Sequence, residues 1–160
     1  MKRALMTLFL PFALAACGTA ATNYGASAPS SQSGSASVSV ADSSLGQILV
    51  DGNGKTLYLF EADTSTQSTC SGGCAQAWPP VTTKGAPKAA GGASASLLGT
   101  TARSDGTTQV TFGGHPLYSF TGDTKPGDTN GEGSTAFGAG WDVLTPTGEK
   151  IEKSASSGSY

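Results

Sequence analysis

Leu57-Tyr58-Leu59-Phe60-Glu61-Ala62-Asp63-Thr64 recurs as Leu117-Tyr118-Ser119-Phe120-Thr121-Gly122-Asp123-Thr124, sixty positions later. Leu, Tyr, Phe, Asp and Thr match at one constant offset. Each copy is followed by a Gly/Ser/Thr-rich loop and a tryptophan, Trp78 and Trp141. Chance is a poor account of that register. Two copies with a period near sixty predict a pseudo-symmetric domain and not an extended solenoid.

Each copy is built of β signals. Leu45–Val50 and Lys55–Phe60 flank Asp51-Gly52-Asn53-Gly54, where Asn and Gly tolerate the positive φ of tight hairpin turns. Leu57 and Leu59 alternate with Tyr58 and Phe60, so both faces of that strand carry apolar bulk and it is expected in the interior of a sheet. In the second copy, Ser104-Asp105-Gly106 reads as a turn, Thr108–Phe112 as a strand, Gly113-Gly114 as a turn and His115–Phe120 as the next strand. Gly140–Leu144 and Lys150-Ile151 read as closing strands around Thr145–Gly148. One or two helical turns are expected near Cys74–Trp78, stopped by Pro79-Pro80. The expectation is a small all-β domain of two related hairpin-based halves.

Around this domain the composition changes. Met1-Lys2-Arg3 is a short basic start, and Ala4–Ala16 is uncharged and apolar. A run of about thirteen residues is too short for a permanent membrane span and fits a signal-peptide core. It ends Leu14-Ala15-Ala16-Cys17, which resembles the lipobox of bacterial lipoproteins. That resemblance implies acyl chains such as palmitate on Cys17 and cleavage before it. Gly18 after the cysteine does not resemble an inner-membrane retention signal, so an outer-membrane destination is expected where the organism has one. The organisation reads as signal peptide 1–16, lipid-attachment cysteine and Ser/Ala/Gly tether 17–43, two-repeat β domain 44–152 (copies at about 45–82 and 98–145) and a tail, 153–160. The tether is too poor in large side chains to offset its ordering entropy.

The whole chain, 160 residues, has nine basic and eleven acidic side chains; loss of Lys2 and Arg3 leaves seven basic, a net of −4. No basic excess exists to neutralise phosphates, so no nucleic-acid partner is expected.

The segments Gly54-Lys-Thr-Leu-Tyr58-Leu-Phe, Cys70-Ser-Gly-Gly-Cys74-Ala-Gln-Ala-Trp78-Pro-Pro and Gly113-Gly-His115-Pro-Leu-Tyr118 resemble a bacterial family of secreted repeat lipoproteins. Its Tyr-x4-Asp motif stands here as Tyr58/Asp63 and Tyr118/Asp123. The resemblance covers about residues 45 to 145. It implies the architecture, export and lipidation, and no established activity.

Several residues carry alternative chemistries. Cys70 and Cys74, in an exported chain, are expected to form a structural disulfide; a redox pair or metal ligation are the alternatives. The C-x-x-x-C spacing is not that of thiol oxidoreductases, and no Lys or Arg lies nearby in sequence to stabilise a thiolate. His115, the only histidine, reads as a structural or solvent-facing residue, with an axial haem or copper ligand as the alternative. Asp63 and Asp123 are expected to accept amides of the loops they begin. Asp123, Asp128, Asn130 and Glu132 also form an oxygen-rich loop, candidate ligands for a hard cation such as Ca²⁺, although the spacing is not that of an EF-hand. Tyr58, Tyr118, Trp78 and Trp141 are either core or a stacking platform, and Trp78 and Trp141 stand with His115 as candidate ligand-binding residues.

No catalytic residue and no cofactor is expected. The functional expectation is a non-catalytic binding or scaffold protein of the bacterial cell envelope, lipid-anchored outside the cytoplasm, with an envelope protein or a small ligand as partner. The alternative is an extracytoplasmic redox, electron-transfer or metal/haem-binding accessory.

Overall fold

The computed structural model describes residues 34–151. The expected signal peptide, Cys17, most of the tether and the tail beyond Ile151 lie outside the described residues. The described part is a small all-β domain. Its strands are β1 (Ser37–Ser43), β2 (Gly46–Asp51), β3 (Tyr58–Phe60), β4 (Lys88–Ala89), β5 (Leu98–Ala102), β6 (Thr108–Phe112), β7 (His115–Pro116) and β8 (Trp141–Val143). A short α-helix, α1, spans Gly73–Ala77, and 3-10 turns span Ala95–Leu97 and Ala136–Gly138. Three small sheets have the orders β2-β1-β4, β3-β8 and β5-β6-β7, joined by isolated bridges.

Alternation along the repeated stretch sorts the side chains into two cores. Tyr58 and Phe60 join Ile48, Val50, Trp78, Tyr118, Trp141 and the two cysteines in one cluster. Leu57 and Leu59 join Val38, Leu49, Val110, Phe112, Leu117 and Leu144 in the other. With apolar residues on both faces, β3 lies inside the structure as expected, paired with β8 on one edge and bridged to Tyr118.

Three expectations are corrected. The tether does not extend to position 43, because Ser37–Ser43 is β1, paired antiparallel with β2 from Val38 to Ser43, and Val38 is fully buried. The Ser/Ala-rich composition conceals a strand whose few apolar residues suffice because β2 supplies most of the bulk. The turn at Asp51–Gly54 forms as expected: Asp51 Oδ1 accepts the amides of Asn53 (2.8 Å) and Lys55 (2.9 Å). The chain beyond it, however, follows β2 only through Val50–Thr56 and the Leu57 N–H to Leu49 O bond, and then leaves to pair with β8. Likewise His115–Phe120 is not one continuous strand: β7 is two residues long, and Tyr118 pairs instead with Tyr58 and Pro80. The turn before β6, β6 itself, the turn into β7, α1 and the Leu144–Lys150 closure all stand where the sequence places them, while β5, which pairs with β6, lies where no strand is expected from the sequence.

Candidate functional site: a crossed tyrosine–aspartate pair

The two motif tyrosines meet backbone to backbone. Tyr58 N–H donates to Tyr118 O (2.9 Å) and Tyr118 N–H donates to Tyr58 O (3.0 Å), which sets a local two-fold relation between the repeats. Because the strands are antiparallel there, each side chain reaches past the other repeat's strand end. The Tyr58 hydroxyl donates to Asp123 Oδ2 at 2.7 Å, and the Tyr118 hydroxyl donates to Asp63 Oδ2 at 2.6 Å. Tyrosine and aspartate of one motif thus bond across, not within, the repeat.

The second carboxylate oxygen holds a loop, as anticipated. Asp63 Oδ1 accepts the Thr69 amide and hydroxyl, both at 2.7 Å, and Asp123 Oδ1 accepts the Asn130 amide at 2.9 Å. Both aspartates are buried. Burial pushes the Tyr58 phenol far above its ordinary range, and the hydrogen bond to Asp123 adds to this. Burial does the same at Tyr118, reinforced by Asp63. Each phenol therefore stays protonated as a donor to a buried carboxylate.

Between the tyrosines runs a column of rings. Phe60 stacks on Trp141 (centroids 4.2 Å apart), Trp141 on Trp78 (4.0 Å, 5° between planes) and Trp78 on Phe120 (4.3 Å). Tyr58 meets Trp78 edge-on at 5.2 Å and Tyr118 meets Trp141 edge-on at 5.2 Å, so the two-fold relation extends through the whole column. Trp78 and Trp141 are 1% and 0% exposed, which corrects their candidacy as ligand-binding residues: they are core.

One side of the pair carries a polar network that sequence reasoning missed. Ser68 Oγ lies 2.7 Å from the Tyr118 hydroxyl and accepts Arg103 Nη1 at 2.6 Å. The same guanidinium donates to Gln109 Oε1 (2.7 Å) and to Cys70 O (2.8 Å). Neither residue stands out in the sequence: Gln109 is one of three polar residues in Thr108–Phe112, and Arg103 pairs locally with Asp105 (3.2 Å) but meets Cys70 only across 33 positions. Cys70 and Cys74 form the expected disulfide, with Cα atoms 5.3 Å apart, and Cys70 opens the loop from which α1 rises.

The oxygen-rich loop does not gather into a cation site. Asp128 Oδ2 accepts the amides of Thr124 (3.0 Å) and Lys125 (3.1 Å), Glu132 Oε2 accepts the Val143 amide (2.8 Å), and Asn130 Nδ2 donates to Gly122 O. Asp123 is committed to Tyr58. Among the described residues no three His, Cys, Asp or Glu side chains are grouped to hold a metal ion. The loop's oxygens are used in folding it, and the four candidate ligands Asp123, Asp128, Asn130 and Glu132 are each engaged elsewhere. His115 stands half-buried at the start of β7, lining a cleft with Phe60, Glu61, Asp63 and Lys150, where Lys150 Nζ and Glu61 Oε1 pair at 2.8 Å.

A family model described as a secreted repeat of unknown function matches residues 39–82 and 99–145, so both copies of the motif fall inside it. The chain matches no curated protein and no solved structure.

Proposed function

The chain belongs to the family of secreted repeats of unknown function, and from that premise we propose that it is a non-catalytic binding or scaffold domain, displayed on the outer side of a bacterial membrane by acyl chains on Cys17. Export is the family's own property. The anchor rests on the basic start, the short apolar run and Leu14-Ala-Ala-Cys17. The observation that carries the non-catalytic reading is where the motif's reactive groups point. Both phenols and both aspartates face one another inside the core, and the carboxylates' remaining oxygens hold loops. The motif is a clamp between repeats, and the exposed faces and clefts are left to bind.

Mass spectrometry of the N-terminal peptide from membranes tests the anchor. The expected result is a diacyl or triacyl mass on Cys17 and release of the Cys17→Ser chain into the soluble fraction. An unmodified Cys17 in membrane-free protein overturns it.

A second reading, an extracytoplasmic redox accessory, draws on the stacked indoles lying between two carboxylate-bound phenols, beside a disulfide. The visible spectrum, metal content and free-thiol count of the purified protein separate the two. A colourless, metal-free protein without free thiol supports the binding domain; haem or copper lost on His115→Ala supports the redox reading.

A further inference from the structure

The two halves match in register but differ at one corner. At the offset of sixty, Lys55-Thr56-Leu57 corresponds to His115-Pro116-Leu117, and the loop after Asp123 corresponds to the loop after Asp63. In the Lys55 corner, strand and loop close on each other. Lys55 Nζ donates to the Asp123 carbonyl at 3.2 Å, the Thr56 hydroxyl donates to Asp128 O at 2.6 Å, and the Gly127 amide donates to Gly54 O at 3.3 Å. Pro126 packs so closely on Gly54 that an added Cβ there would lie 3.2 Å from it.

The His115 corner is open. A cleft of about 600 Å³ separates the Gly113–His115 turn from Asp63, Thr64 and Ser65, with Leu59 and Phe60 in its lining, and its size is that of ordinary small-ligand sites. The sequence explains the opening in three ways. His115 lacks the reach and the ammonium of Lys55. Pro116 lacks the hydroxyl of Thr56. The loop is also one residue shorter, since Asp63 takes the amide six positions on where Asp123 takes the amide seven on, and it has no counterpart of the Pro126-Gly127 plug. As a result the Asp63 carbonyl, counterpart of the ammonium acceptor Asp123 O, has no hydrogen-bond donor among the described residues, and neither has the His115 ring a partner there. His115, Glu61, Asp63, Glu149 and Lys150 are the ionisable residues of the lining. Glu61 is paired with Lys150 and the Asp63 carboxylate with Tyr118 and Thr69, which leaves the Glu149 carboxylate as the surplus charge, so the balance favours a cation.

We propose that this cleft binds a primary ammonium group carried on a slender aliphatic stem, as in a lysine side chain or a small alkylamine. The ammonium takes the position that Lys55 Nζ occupies in the closed corner and donates to the Asp63 carbonyl. The Glu149 carboxylate attracts it, and the stem lies along the cleft wall to which the Leu59-Phe60 segment contributes. The proposal rests on the binding role stated above and narrows it to one site and one ligand chemistry.

The test uses the exported chain bearing Cys17→Ser, titrated by ¹H–¹⁵N NMR with Nα-acetyl-lysine methylamide, with ethanolamine, and with the Nε-acetylated lysine derivative. The expected result is saturable shifts confined to Glu61, Asp63–Ser65 and Gly113–His115 with both amines and none with the Nε-acetylated compound. His115→Lys, which restores the residue of the closed corner, should weaken amine binding at least tenfold and raise the thermal midpoint. Glu149→Gln, an exposed position, should weaken binding without altering the midpoint. Tighter binding of the lysine derivative identifies a polypeptide side chain as the source, and tighter binding of ethanolamine a small amine or headgroup; either supports the proposal. Shifts scattered over the surface, equal binding of the acetylated compound, or undiminished binding by His115→Lys overturns it. Such a failure leaves the lipid anchor untouched, because the mass at Cys17 reads that separately.

Discussion

The Tyr58 hydroxyl donates to the carboxylate of Asp123, 65 positions away, at 2.7 Å, while Asp63, five positions from Tyr58, bonds instead to Tyr118. Exchange of partners makes each half of the domain depend on the other. A single repeat would leave its tyrosine without an acceptor and its aspartate buried without a donor, and a buried unsatisfied charged group is costly. The same exchange places four aromatic rings in one column that neither repeat could complete alone.

Crossed pairing predicts a particular pattern of energetic coupling. In double-mutant cycles read by denaturant unfolding, Tyr58→Phe should couple to Asp123→Asn, and Tyr118→Phe to Asp63→Asn, each by about 1.5–3 kcal/mol, as for hydrogen bonds to charged groups. The cycles within a motif, Tyr58 with Asp63 and Tyr118 with Asp123, should be near zero. Coupling within the motifs and none between them would refute the exchange.

Alkaline pH should unfold the protein through these phenols. Burial, followed by the aspartate hydrogen bonds, raises both folded pKa values above the unfolded value of about 10. A raised folded pKa contributes stability that is present in full below pH ~10 and is lost as pH climbs above it. Of the four tyrosines, Tyr58 and Tyr118 should show no phenolate absorbance until the chain unfolds cooperatively. Replacing both with Phe should flatten the alkaline slope of the unfolding free energy. Ionisation of all four phenols in folded protein would contradict this picture.

The repeat and its consequences were legible because five matched residues at one offset survive any surface variation, and alternation of Leu with Tyr and Phe assigned the strand to an interior position. Partner choice was not legible. The Tyr-x4-Asp spacing is the same whether the bond closes within a repeat or between repeats, and only the antiparallel crossing at Tyr58–Tyr118 decides it. Arg103 was hidden for a related reason: Asp105 and Gln109 are near it in sequence, but Ser68 and Cys70 O, the acceptors that tie it to the first repeat, are more than thirty positions away, so no window of sequence contains the whole set. β1 was masked by composition, since Val38 and Val40 among serines resemble the linker that precedes them.

Gly131 should be intolerant of even a methyl group. A Cβ there would lie 2.6 Å from the Trp78 ring and 3.0 Å from the Tyr58 ring, both fully packed. Gly131→Ala should therefore lower stability by about 1–3 kcal/mol through overpacking. Gly92→Ala, with open space at its Cβ, is the comparison for the effect of removing a glycine alone, although its positive φ adds its own strain. A thermal midpoint unchanged in Gly131→Ala would mean that the loop does not press on the aromatic column.

The N-terminal limit of the folding unit follows from β1. A chain starting at Ser44 keeps both copies of the Tyr-x4-Asp motif but loses six residue pairs with β2. It also loses the buried Ala36 and Val38 side chains and the strand on which β4 docks. Val38 O accepts the Ala90 amide, Ala36 O accepts the Lys88 amide, and the Ala36 amide donates to Thr83 Oγ1 at 3.1 Å, so the segment ties down the linker between the repeats as well. Removal would take Ala36 and Val38 out of the second core and open it to water, at a cost of several kcal/mol against a typical total stability of about 5–15 kcal/mol. The chain starting at Ser44 should accordingly show poor dispersion of its amide resonances and rapid proteolysis, while one starting at Gly34 should unfold cooperatively with the stability of the longer protein. If the shorter chain proves equally stable, β1 is an ornament on a domain that begins at β2.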